Sequence, residues 1–276
     1  MAGPGTSKAT VSGLEGYEPL EHTDRSGRTH QFHRRGSGPP VIVLHELGGI
    51  SPTLVTLADK IIQRNFTVYL PSLVELSLPP GRLRLLEATL RICVSAEFVK
   101  LATNRTSPVV QWLRSLSREI NTKSGHRVGV VGLCLTGGFA LAMAVEPHVA
   151  GPVVAHPSLP IGIGSRRRRD LGLDPADLTK VKARTDIRFF GVRMSEDLVA
   201  PCPRFDRMEE EFGDRFIRTD VPSGRKSQHG IARWEHPVLT SRLLDPAKDH
   251  PARAELERIL SEALDFLEAE VRGAAT

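Results

Sequence analysis

Short runs of aliphatic and β-branched residues alternate along this chain with stretches whose apolar positions recur every three or four residues. Runs at 41–44, 66–70, 128–131, 152–155 and 187–192 are mostly apolar, the pattern of strands buried on both faces of a sheet. Between them, 51–64, 109–122, 175–184 and 204–212 have helical spacing, and 251–271 closes the chain as a long amphipathic helix. Ser51 is a natural N-cap with Pro52 at the first helical position. Such alternation predicts an α/β fold with a mostly parallel sheet. Residues 29–34 suit an edge strand, and 215–218 a last short one. The Gly-, Ser- and Thr-rich residues 1–27 predict a loose lead-in with at most one edge hairpin. Residues 71–107, broken at Pro79-Pro80-Gly81, predict cap-like loops and short helices. No repeat or linker interrupts residues 28–276, which are expected to form a single domain.

Residues 128–145, VGVVGLCLTGGFALAMAV, organise the rest. The apolar run meets Gly132-Leu133-Cys134-Leu135-Thr136-Gly137-Gly138 and continues with small and apolar residues at helical spacing. The chain must turn sharply from strand to helix at Cys134. A turn of this kind lifts its central side chain above the sheet and directs free helix amides toward it. Gly132 stands where the turn leaves little room for a Cβ. The pattern predicts a nucleophile elbow whose nucleophile is a thiol, although a cysteine among apolar residues can equally be inert packing.

Composition narrows the classes. The cysteines, Cys93, Cys134 and Cys202, number three and have no paired spacing, which suits a reducing compartment. No stretch approaches the roughly 18 apolar residues of a membrane span. The start, MAGPGTSKAT, lacks the apolar core of a secretory signal, so a cytoplasmic enzyme without a membrane partner is expected. The net charge of +5 owes much to arginine, including the run Arg166 to Arg169. That run lacks interleaved aromatics, so it is expected to be a solvated loop rather than a nucleic-acid site. A mild positive field favours small anionic substrates.

A thiol near pKa 8.5 needs a base or a cation beside it to ionise at neutral pH, and imidazole can supply both roles. A carboxylate on the second ring nitrogen fixes the tautomer. In open α/β hydrolases the acid follows a later strand and the histidine comes near the end. Cys134, Asp197 and His229 obey that order. Glu196 is the rival acid, and His156 and His45 are rival bases.

Four segments in order, VIVLHELGG, GLCLTGG, DLVAP and HGIAR, make the chain similar to the dienelactone hydrolase family from about Arg34 onward. The resemblance implies an α/β-hydrolase fold and hydrolysis of a small, carboxylate-bearing ester or lactone through a thioester. It implies Cys134 as nucleophile, Asp197 and His229 as its partners, and Glu46 as the carboxylate that contacts the resting thiol. The amides of Leu47 and Leu135 would form the oxyanion hole, and Arg233 would grip the substrate carboxylate. A second arginine is implied in the cap-like region, Arg91 or Arg105. Thr136 departs from the family pattern, which has glycine there. No cofactor or metal is implied. A broader carboxylesterase or thioesterase, or a ligand-binding scaffold without catalysis, are the alternatives.

Overall fold

The computed structural model describes residues 13–73, 107–241 and 249–273. Eight strands form one sheet in the order β1-β2-β4-β3-β5-β6-β7-β8. They are β1 (Glu18–Thr23), β2 (Thr29–Gly36), β3 (Pro40–Leu44), β4 (Thr67–Pro71), β5 (Val128–Leu133), β6 (Val149–Ala155), β7 (Phe189–Met194) and β8 (Phe216–Val221). β2 runs antiparallel to both β1 and β4, and β4 to β8 are mutually parallel. The lead-in therefore contains a hairpin strand joined to the sheet at its antiparallel end.

The helices are α1 (Pro52–Gln63), α2 (Pro108–Ser124), α3 (Gly137–Met143), α4 (Gly164–Arg168), α5 (Pro175–Ala183), α6 (Cys202–Phe212) and α7 (Arg253–Arg272). Ser51 caps α1 by accepting the Leu54 amide, and Ser107 caps α2 through the Val110 amide; each is followed by proline. These side chains satisfy amides that a helix cannot pair internally.

Alternation along the strands divides the core into two layers. Val41, Val43, Val131 and Leu133 pack with α1 and α7, through Leu54, Ala58, Ile61, Leu260 and Leu267. Ile42, Leu44, Val128 and Val130 face the other way, onto Trp112, Leu113, Phe139 and Ala140 of α2 and α3. Successive strand residues point to opposite faces, so continuous apolar runs require cover on both sides. Gly129 lets α7 approach closely: a Cβ there would stand 2.9 Å from Leu267 and Val271.

Two strands extend past the apolar runs that announce them. β7 continues through Arg193, which is buried because its guanidinium donates to the carbonyls of Ser195, Asp197 and Ala200 and pairs with Asp220 at 2.8 Å. β8 includes Arg218 and Asp220, which pair with each other at 2.8 Å at the sheet margin. Because β4 to β8 are parallel, the loops leaving β3, β5, β6, β7 and β8 meet at one end of the sheet, where open α/β folds place their sites.

Candidate active site

The turn after β5 is a single 3-10 turn, Cys134–Thr136, leading into α3. Cys134 has φ 52°, in the left-handed region that costs a side-chain-bearing residue about 1–3 kcal/mol. Close packing enforces it. A Cβ on Gly132 would lie 2.5 Å from the Thr136 carbonyl oxygen, and one on Gly137 2.8 Å from Pro157. Thr136 explains its own departure from glycine. Its buried Oγ1 accepts the Leu133 amide at 3.0 Å and lies within 2.9–3.3 Å of the carbonyls of Leu133, Leu44 and His45. The hydroxyl thus staples the elbow to the loop after β3.

The loop after β7 supplies a buried carboxylate. Oδ1 of buried Asp197 accepts the amides of Val199 and Ala200 at 2.8 and 3.2 Å. Oδ2 accepts a 2.5 Å hydrogen bond from Nδ1 of His236. Burial opposes ionisation of Asp197, but His236 and the two amides hold its carboxyl below the usual range. The rival acid Glu196 lies 3.6 Å from Arg233 instead.

The histidine that meets Asp197 is His236, not the expected His229. His229 stands at the surface, its Nε2 3.8 Å from Glu255. The two are seven positions apart, and the chain between them holds Ile231 in the core and turns at residues 232–235 before reaching Asp197. The HGIAR motif therefore marks the loop that reaches Asp197 but not the ring within it that makes the contact. The available signal was WEHPVL, a second histidine in that loop ahead of the buried Val238 and Leu239. Burial disfavours the charged form of His236, but Asp197 and Cys134 outweigh it and its pKa is pushed up to about 10. Its Nε2 is buried with no hydrogen-bond partner among the described residues. The thiol is thus close enough to raise the pKa of the ring without making a hydrogen bond to it.

Around this pair lies a second polar set. His156, wholly buried and held at φ 38°, packs edge-on against His236 with ring centroids 4.7 Å apart. Val238 N–H donates to its Nδ1 at 3.4 Å, which leaves the proton on Nε2 to donate to Glu46 Oε1 at 2.8 Å. Burial pushes the pKa of His156 down, so this ring is neutral beside its charged neighbour. Thr240 Oγ1 also donates to Glu46 Oε1, at 2.7 Å. Burial works against the Glu46 carboxylate, yet His156, Thr240 and the charge on His236 hold its pKa below the ordinary value. The third histidine, His45, accepts the Leu73 amide at Nε2 and donates from Nδ1 to the Glu46 carbonyl. Sequence reasoning expects Glu46 to contact the thiol, but its polar contacts are with His156 and Thr240.

Ser158 also approaches the thiol: its Oγ lies 3.4 Å from Sγ and its amide donates to the Cys134 carbonyl at 3.0 Å. Ser158 belongs to the loop after β6, which buried Arg204 of α6 secures by donating to the carbonyls of Pro157, Pro160, Arg167 and Asp170. Leu135 is buried behind Cys134 and Leu47 is partly exposed in the loop after β3. Arg233 is largely exposed and faces Glu196. Arg91 and Arg105 lie outside the described residues. Among the described residues no group of three or more His, Cys, Asp or Glu side chains could hold a metal ion, and no helix is long and apolar enough to cross a membrane.

Comparison with known proteins agrees with this arrangement of strands and loops. A dienelactone hydrolase from Anabaena variabilis is 18% identical, with a TM-score of 0.55 over 92% of this chain and 99% of the other. An esterase of Pyrococcus furiosus is 12% identical, with a TM-score of 0.59 over 94% of each chain. A dienelactone hydrolase-like promiscuous phosphotriesterase from metagenomic libraries is 11% identical, with a TM-score of 0.58 over 91% of this chain and 99% of its own. At these identities the likeness is one of fold. A search among curated proteins gives no match. The model of the dienelactone hydrolase family matches residues 29–268, from the second strand to the last helix, and this chain belongs to that family.

Proposed function

We propose that the chain hydrolyses a carboxylic ester or lactone through Cys134, His236 and Asp197, of the general type that carboxymethylenebutenolidases represent. One observation carries the proposal: the 2.5 Å hydrogen bond from His236 to Asp197 beside a cysteine held at positive φ on a strand-to-helix elbow.

A charged imidazole next to a thiol favours the thiolate. The Cys134 thiolate attacks the carbonyl carbon, and the amides of Leu135 and Leu47 receive the oxyanion. Collapse of the tetrahedral adduct breaks the carbon–oxygen bond, and His236 gives its Nε2 proton to the departing alkoxide. The neutral ring then takes a proton from water as that water attacks the thioester, and the acid leaves with the thiolate restored. Asp197 keeps the ring in the tautomer that presents Nε2. In this scheme Glu46 is a partly buried negative charge near His236 that helps keep it protonated between turnovers, rather than a partner of the thiol.

The test is turnover of p-nitrophenyl acetate together with iodoacetamide labelling. Labelling of Cys134 ahead of Cys93 and Cys202, with proportional loss of turnover, and an inert Cys134→Ala variant are expected. Equal turnover by Cys134→Ala and the wild type would overturn the proposal. Wild type inert toward esters and thioesters alike would leave a binding scaffold as the better account.

A further inference from the structure

Five large apolar side chains stand exposed among the described residues: Ile161, Ile163, Leu198, Val199 and Trp234. Their distribution is not random. Ile161 and Ile163 follow β6 on the loop that carries Ser158, Leu198 and Val199 follow β7 next to Asp197, and Trp234 follows β8 two residues before His236. The three loops adjoin. Gly162, between the isoleucines, is close enough to Pro201 that a Cβ on it would stand 3.3 Å away, and Asp197 binds His236 directly. Trp234 is 85% exposed and Ile163 74%. Other large apolar side chains among the described residues are buried or partly buried, so the most exposed apolar area gathers at the end of the sheet where the thiol sits. Apolar area of this kind marks a place where something apolar binds.

Arg233, the residue implied to grip a substrate carboxylate, adjoins Trp234, and Glu196 at 3.6 Å partly offsets its charge. That offset weakens the pull of this rim on an anionic substrate.

We infer that the part of the substrate remote from the scissile bond is an alkyl or aryl chain that lies across Trp234, Ile163 and Leu198, rather than a carboxylate-bearing ring. The inference deepens the proposed ester hydrolysis and rests on it for its catalytic readout. Each fully buried methylene is worth about fourfold in binding, and an open rim captures only part of that.

The experiment compares kcat/KM for p-nitrophenyl acetate, octanoate and hemisuccinate. The octanoate is expected to exceed both by at least about tenfold, since six further methylenes are available even for partial burial. Trp234→Ala and Ile163→Ser should each cut the octanoate-to-acetate ratio severalfold. Cys134-dependent turnover with no octanoate preference, or with the hemisuccinate preferred, overturns the inference and leaves the proposed hydrolysis standing. If no ester turns over, the proposed hydrolysis fails, and tryptophan emission decides the inference separately. Of the two tryptophans Trp112 is fully buried, so a blue shift on titrating 2-decanone into wild type, absent in Trp234→Phe, supports an apolar binding rim. No shift at saturating 2-decanone overturns it.

Discussion

Two histidines seven residues apart offer themselves as the base, and replacing each by glutamine separates them. His236 donates to a buried carboxylate and is charged in the resting enzyme, whereas His229 is 42% exposed and 3.8 Å from Glu255. An exposed pair at that distance contributes within about 1 kcal/mol and touches no reacting atom. General acid–base catalysis is worth ~10²–10⁴ in rate, or about 3–5 kcal/mol of transition-state stabilisation. His236→Gln should therefore lower kcat/KM on p-nitrophenyl acetate by ~10²–10⁴, while His229→Gln stays within about twofold. Asp197 retains the amides of Val199 and Ala200 in the first variant, so the fold should survive and circular dichroism should be unchanged. The reverse ranking, a large loss in His229→Gln with His236→Gln near wild type, would refute the assignment of His236 as the base.

Ionisation of the same ring gives a stability profile. The folded pKa of His236 is raised to about 10, so its contribution is fully present below about pH 6.5 and is lost as pH rises through about 10. Urea midpoints should fall between pH 7 and pH 10 in wild type and less steeply in His236→Gln. Asp197 and Glu46, held low, act in the opposite direction: their contribution is present above about pH 4 and fades on further acidification. Asp197→Asn should flatten the acid limb of the same titration. Thr136→Val removes the hydroxyl that joins the elbow to the loop after β3 and should cost roughly 1–3 kcal/mol in urea unfolding, together with kcat. Gly132→Ala forces a Cβ to within 2.5 Å of a backbone oxygen and should lower both Tm and the rate of Cys134 alkylation. Arg204→Met strips donors from buried carbonyls and should cost about 3 kcal/mol or more, read as a lower Tm.

The parts of this molecule visible in the sequence are those where a local rule and the tertiary environment agree. The double-sided strands, the Ser51-Pro52 helix start and the elbow around Cys134 each depend on residues adjacent in the chain. The loop that holds Asp197 is legible because it directly follows a strand end. The parts that were hidden depend on partners distant in sequence. Arg193 breaks an apolar run, and only the Asp220 carboxylate and three carbonyls make its burial tolerable. The binding of Glu46 by His156 and Thr240 spans separations of 110 and 194 residues, beyond the reach of any spacing rule. His236 was missed for a related reason: chain order brings a loop to the acid but does not say which of its residues arrives there. Thr136 first counts as a flaw in the motif, and its hydroxyl contacts turn it into a tie between two loops.

Among the described residues β8 pairs only with β7, and this marginal position has a bearing on how the protein behaves in concentrated solution. A strand without a second neighbour presents backbone groups that another molecule could pair with, and natural proteins blunt such margins with charge. Here Arg218 reaches Asp206, Glu209 and Asp220 at once, so a guanidinium and three carboxylates guard the open border. Adding salt would weaken that guard by screening it, so association through this border, if it occurs, should grow with ionic strength rather than diminish.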